Sequence, residues 1–338
     1  QADKADMVAL GRVLIADPDW PRKAEENRPE DIRQCIGCNQ GCIDNLLTAF
    51  FADCLQNPEV GRESKYKLAQ VDSPKNVLVI GGGIAGLETA VVAAKRGHKI
   101  TLCEKYKALG GQWILAAIPP GKTQFNAVVD WRVHELDHME NVKIELNKNV
   151  TPEYVKKLNP DIVVVATGSV PVIPPIPGFD KKNVTNVPNT LTGKATIGKN
   201  VAVIGGGACG VETAHYLLEQ GKKVTVVEML PEIARDEKFA RKVFILERLE
   251  KKGAKLLVSS LVKKITEGNE LIVSQNGTEK SLGTFDTFVV AVGVKTENRL
   301  TKLIEGMVPA VYEVGDAYAY PANGFSAIQH GALIGRKI

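Results

Sequence analysis

Four of the chain's six cysteines fall within twenty residues, as Cys35, Cys38 and Cys42 in "CIGCNQGC" and Cys54 in "FADCLQNP". Thiolates are metal ligands, and four of them suit either a tetrahedral structural zinc or a [4Fe–4S] cluster. Structural zinc usually takes two C-x2-C pairs, whereas Cys35-x2-Cys38-x3-Cys42-x11-Cys54 is a compact triple with one distant partner. That asymmetry leans towards the cluster and leaves zinc, or four free thiols, as alternatives.

The second constellation is repeated. "KNVLVIGGGIAGLETAVVAAKRGHKITLCEK" (75–105) and "KNVAVIGGGACGVETAHYLLEQGKKVTVVEM" (199–229) share one plan, 124 residues apart: apolar run, glycine turn, helix, second apolar run, acid. Short Val/Ile-rich runs ending at glycines read as buried parallel strands, and the whole as a βαβ unit. Gly81, Gly83 and Gly86 form the first G-x-G-x-x-G, and Gly205, Gly207 and Gly210 the second. In such a turn the first glycine permits the tight bend, the second admits a pyrophosphate and the third lets helix and strand close up. The helix N-terminus then presents free N–H groups to phosphate. Glu104 and Glu228, each 18 residues past the last glycine, stand where a carboxylate accepts from ribose hydroxyls. Two dinucleotides are therefore expected.

Elements able to position these groups require an α/β chain of two or three domains. With 44% hydrophobic and 24% charged residues, the composition is that of a soluble globular protein. No apolar run is long enough for a bilayer, which argues against a membrane. A net charge of +4, spread among acids, argues against nucleic acid. The opening "QADKADMVALGR" has neither a signal-peptide pattern nor an initiator Met, so the chain is expected to begin inside a longer one. A cytoplasmic setting is expected, where clustered cysteines favour metal over disulfide.

"LGGQW" (109–113), "DIVVVATGS" (161–169), "FDTFVVAVGVKTEN" (285–298) and "VYEVGDA" (311–317) extend the pattern. The set resembles the flavoprotein reductases with two dinucleotide domains. The resemblance implies an FAD domain interrupted by an NAD(P)H domain, with Gly315 and Asp316 at the flavin. Glu228 would repel a 2′-phosphate, and Met229, Leu230 and Pro231 supply no cation, so NADH is favoured over NADPH despite nearby Arg235. "GGQWILAAIPPGK" holds no cysteine pair, which disfavours a dithiol-disulfide reductase.

Together with "ADMVALGRVLIADPDWPRKA" (5–24) and "IRQCIGCNQGC", the whole chain resembles the C-terminal half of the multidomain old yellow enzyme family of 2-enoate and 2,4-dienoyl-CoA reductases and trimethylamine dehydrogenase. The resemblance implies a preceding (β/α)8 barrel with FMN, of which "VALGR" would be the eighth strand, with Gly11 and Arg12 at the FMN phosphate. It implies cluster ligation by Cys35, Cys38, Cys42 and Cys54. FAD contacts are implied for Ala85, Glu104, Gln112, Val150, Ala166 and Gly168 beside the glycines. The implied domains are 1–30 (barrel end), 31–73 (cluster segment), 74–185 and 285–338 (FAD), and 186–284 (NAD(P)H). Electrons would run from NADH through FAD and the cluster to FMN, reducing an activated C=C bond of a small molecule held by the barrel. No catalytic acid is expected among these residues. A homo-oligomer is compatible with this reading.

Two rivals stand. One is an amine dehydrogenase sending electrons out to a carrier protein, against which the intact second motif argues. The other is a zinc-stabilised nucleotide-binding module. Cys103 reads as core and Cys209 as a space-filler in the second turn. His98, His134 and His138 read as residues of polar turns or helix faces.

Overall fold

The computed structural model describes residues 4–48, 50–318 and 323–338, with the side chains of 239 and 240 outside that description. Residues 1–3 of the expected barrel end and 319–322 of the expected last FAD segment thus lie outside the described residues. The chain divides into two compact units, 1–114 with 124–169 and 296–338, and 115–123 with 170–295.

In chain order the elements that matter are β1 (Asn76–Ile80), α1 (Ile84–Lys95), β2 (Lys99–Cys103), α2 (Ala127–Asp137), β3 (Val142–Glu145), β4 (Ile162–Val165), β5 (Val184–Asn186), β6 (Asn200–Ile204), α3 (Ala208–Glu219), β7 (Lys223–Val227), β8 (Lys255–Leu257), β9 (Thr287–Val290), β10 (Ala310–Glu313) and α4 (Gly324–Lys337). The first unit holds a five-stranded parallel sheet in the order β10-β4-β1-β2-β3. Side chains alternate across a strand, so Val77 and Val79 enter one core with Leu87 and Val91 of α1, while Leu78 and Ile80 enter another with Cys103, Val163 and Val165. Burial on both faces explains why these strands are unbroken apolar runs.

The second unit repeats the plan with β5-β9-β6-β7-β8, also parallel. Val201 and Val203 pack with Val211, Ala214 and Leu217 of α3, and Ala202 and Ile204 pack on the opposite side with Phe288. A three-stranded antiparallel sheet of Leu261–Ile265, Glu270–Gln275 and Thr278–Thr284 completes it. The α/β class with two layered nucleotide-binding folds is as expected. The inserted unit takes in 170–295, a wider span than the expected 186–284.

The strand expected at "VALGR" is not formed. Residues 8–10 have no regular structure, and Arg12–Ala16 is a short helix. A barrel strand exists through the ladder it makes with its neighbours, and none is available among the described residues.

Candidate functional site

In the first unit the glycine turn closes at the carboxyl end of β1. Gly81 has φ +112°, and a Cβ there would stand 2.3 Å from the Ala166 carbonyl oxygen. A Cβ on Gly86 would stand 2.1 Å from the Gly81 oxygen, whereas one on Gly83 would meet nothing within 4 Å. Two glycines thus serve packing, and the third opens the space where a pyrophosphate could approach the backbone.

Glu104, 5% exposed, spends both carboxylate oxygens on this architecture. The Gly82 N–H donates to Oε2 at 2.7 Å and the Tyr106 N–H to Oε1 at 2.9 Å. The acid therefore braces the turn, a role the spacing alone did not suggest, with lone pairs left over for a hydroxyl.

Other expected flavin residues converge here. Gln112 Nε2 donates to Ser169 O and Oγ at 3.0 and 2.9 Å, and Ser169 Oγ donates to Asp316 Oδ2 at 2.7 Å. Gly315 has φ +61°, and a Cβ on it would touch the Ala85 methyl at 2.8 Å. Gly168, with φ +74°, turns the chain out of β4 beside Gln112. Val150 is buried in the layer under the sheet with Ile80 and Cys103. Ser169, the link between Gln112 and Asp316, was missed by sequence reasoning, since nothing local marks it.

The second unit reproduces the turn with one difference. A Cβ on Gly205 (φ +108°) would stand 2.4 Å from Ala291 O, and one on Gly210 2.0 Å from Gly205 O. Glu228 accepts from the Gly206 and Leu230 N–H groups at 2.6 and 2.8 Å. The approach to Gly207, however, is covered by Asp236, whose Oδ1 accepts the Ala208 N–H at 2.8 Å. A carboxylate thus sits on the helix N–H that a pyrophosphate would use. Replacing Asp236 by asparagine is expected to tighten NADH binding about two- to fivefold, the usual worth of a charge at a helix end, as measured by fluorescence titration. The repeat also makes Asp236 findable, because it lies 124 residues after Gln112, as Glu228 does after Glu104.

Cys209 differs from the expectation of a small space-filler. The residue is exposed beside the Glu212 and Asp236 carboxylates, which disfavour a thiolate there.

Cys35, Cys38, Cys42 and Cys54 line one cavity together with Arg12, Ile15, Asn39 and Gln56. The segment is largely irregular, and hydrogen bonds fix it. Asp53 N–H donates to Gly41 O at 2.7 Å, which brings the neighbours of Cys42 and Cys54 together. The Gln56 amide donates to Gln34 O at 3.1 Å and accepts from Arg132 Nη1 at 2.9 Å. Arg132, fully buried on α2, is paired with Glu88 of α1 at 2.8 Å. Gln329 of α4 donates to Asp53 Oδ1 at 3.1 Å.

Among the described residues, no group of three or more His, Cys, Asp or Glu is placed to hold a single metal ion. Zinc would need all four sulfurs within about 3.8 Å of one another, given its bond length of about 2.3 Å. Four cysteines around one cavity could supply the thiolates of either centre. Burial pushes the Cys38 thiol up to about 11 and the Cys54 thiol in the same direction, so loading a cationic centre expels protons. Arg12 lies at the rim of this cavity and donates to Asn39, and Gly11 begins its helix.

His98 corrects the sequence reading. It is 2% exposed, not on a polar turn. Its Nδ1 accepts the Lys75 N–H at 3.1 Å, which assigns the proton to Nε2, 3.0 Å from the Ile338 carbonyl oxygen. Desolvation lowers its pKa, so the unfolded chain binds the proton more readily. Stability is therefore full above the ordinary value of about 6.5 and is lost as pH falls towards the folded value. Denaturant midpoints should show this acid-side loss, and His98→Gln should flatten it.

Residues 75–331 match the family model described as pyridine nucleotide-disulphide oxidoreductase, with a partial match over 60–112. The chain belongs to that family. It is 40% identical over 322 residues to the NADH oxidase of Thermoanaerobacter brockii, a match covering 93% of this chain and 49% of that protein. It is 37% identical over 317 residues to the cinnamate reductase of Clostridium sporogenes, covering 93% and 47%. The solved structure of a 2-naphthoyl-CoA reductase in complex with 2-naphthoyl-CoA superposes with a TM-score of 0.92 at 34% identity, covering 97% of this chain and 50% of that one. The chain spans about half the length of the curated relatives it matches, and they bear out the resemblance to multidomain NADH:flavin oxidoreductases. The family pairs FAD with NAD(P)H, consistent with two glycine turns. No helix among the described residues is long and apolar enough to cross a membrane.

Proposed function

We propose that this chain is the electron-input part of an iron–sulfur flavoenzyme, passing electrons from NADH by way of FAD and a [4Fe–4S] cluster to FMN for reduction of an activated C=C bond in an enoate or enoyl-CoA. The observation that carries the reading is the gathering of Cys35, Cys38, Cys42 and Cys54 on one cavity in the unit that holds the Gly81–Gly86 turn. FAD takes a hydride and releases electrons singly, which gives a one-electron centre its use. The names of the cinnamate and 2-naphthoyl-CoA reductases support an unsaturated substrate.

The residues of this chain bind and orient. The Gly81 turn and Ala85, with Gln112, Asp316 and the small residues Ala166, Gly168 and Gly315, would cradle FAD, and Glu104 and Val150 would lie towards its adenosine end. Gly205, Gly207, Gly210 and Glu228 would hold NADH, with Glu228 repelling a 2′-phosphate. We assign 1–30 to the barrel end, 31–73 to the cluster, 74–185 and 285–338 to FAD and 186–284 to NAD(P)H, with 170–185 and 285–295 as the joins that pack in the second compact unit. Met7 and Phe51 are 89% and 94% exposed, and Val8, Leu46, Leu47 and Phe50 are exposed with them. Exposed apolar side chains such as these are available to pack on the barrel that the resemblance implies, where Gly11 and Arg12 would meet the FMN phosphate.

Protein purified without oxygen should show flavin bands and broad sulfur-to-iron charge transfer, both diminished by NADH and more slowly by NADPH. A colourless preparation containing zinc and no iron would overturn the cluster reading.

A further inference from the structure

We propose that Arg33 raises the reduction potential of the centre held by Cys35, Cys38, Cys42 and Cys54, acting as a fixed cation behind the Gln56 wall of their cavity that favours the electron-loaded form. The proposal rests on the cluster reading above and deepens it.

Arg33 stands two residues before Cys35, and its guanidinium is held on several sides. Nη1 donates to Gln56 O at 3.3 Å, and Gln56, 1% exposed, lies two residues past Cys54 on the wall of the cysteine cavity. Nε donates to Ala16 O at 2.9 Å. The guanidinium carbon lies 4.8 Å from the ring centroid of Trp131, which is itself 7% exposed. Arg33 is half-buried, and a cation held between carbonyl oxygens and an indole face is screened less than one free in solvent.

Three carboxylates nearby are matched by other cations. Asp17, which accepts the Arg33 backbone N–H, is paired with Lys23 at 2.7 Å. Asp53 is paired with Arg62 at 2.7 Å and Glu88 with Arg132 at 2.8 Å. The Arg33 guanidinium meets carbonyl oxygens and the indole, and no carboxylate within ion-pair distance among the described residues. Arg12 also lines the cavity but is exposed, where water screens it. Each electron taken up adds negative charge to a cluster, and net charge in its surroundings is one of the protein's levers on its potential. Arg33 thereby eases one-electron transfer from the reduced flavin.

The test is an EPR-monitored redox titration of the anaerobically purified holoprotein, with iron and acid-labile sulfide counted in each sample. At the parent midpoint Arg33→Gln should show a reduced-to-oxidised ratio about tenfold lower, a fall of about 59 mV for one electron. Arg33→Lys, which keeps the charge and loses the fork, should stay within about threefold of the parent, a little under half that shift. Equal shifts in both variants, or no shift in Arg33→Gln, would overturn the proposal. If Arg33→Gln and Arg33→Met both lose iron while Arg33→Lys keeps it at the parent potential, Arg33 serves assembly and the proposal also fails. A parent protein with no iron–sulfur signal would instead sink the cluster reading itself.

Discussion

Replacing Gly41 by alanine is expected to strip the protein of iron while leaving its flavin in place. The new methyl would stand 2.6 Å from the Asp53 carbonyl oxygen and 2.7 Å from the Phe325 ring. The Asp53 backbone cannot yield easily, because its N–H is bonded to Gly41 O and its Oδ1 accepts the Cys54 N–H at 2.7 Å. Overpacking at such a point costs about 1–3 kcal/mol, and relief comes by separating the strands of chain that carry Cys42 and Cys54. Cluster affinity should fall about fivefold or more, since 1.4 kcal/mol is a factor of ten, and be read as a loss of iron per chain. The Gly81–Gly86 turn uses none of these contacts, so FAD per chain should not change. Full iron content in Gly41→Ala would show that the pinned crossing is not what gathers the thiols.

The complementary substitution is Gly86→Ala. A Cβ there would lie 2.1 Å from Gly81 O and 3.0 Å from the Ala166 methyl, so the turn must open or α1 must lift from the sheet. Either movement displaces the Gly83 backbone from the place where it could meet a pyrophosphate. The same strain of about 1–3 kcal/mol predicts FAD binding weakened about fivefold or more. Iron should be retained. Flavin and iron counted on both variants therefore form a double dissociation, and loss of both cofactors in either would point to general unfolding. Circular dichroism on the same samples separates that outcome.

The glycine turns were legible in the sequence because backbone geometry forbids any side chain at Gly81, Gly86, Gly205 and Gly210, and the requirement recurs with a fixed offset. The parallel strands were legible because burial on two faces leaves an unbroken apolar run. What escaped depends on contacts distant in sequence. His98 looks polar and local until Lys75 and Ile338 enclose it. Glu104 and Glu228 were placed correctly in the sequence, but their bracing of Gly82 and Gly206 needs the fold. Ser169, Arg132 and Arg33 carry no motif, and their partners lie far along the chain or emerge only when an irregular segment folds back. "VALGR" failed as a strand for the converse reason, since its pattern presupposes neighbours.

The most direct test of electron splitting is to mix the oxygen-free protein with NADH, freeze it at successive times, and count the iron-centred unpaired spins by EPR while flavin absorbance is followed in parallel. Expected is an iron signal that grows as or just after the flavin bleaches, and that is absent from Gly41→Ala although its flavin still bleaches. A flavin that is fully reduced beside an iron-replete centre that never takes an electron would contradict the proposed function.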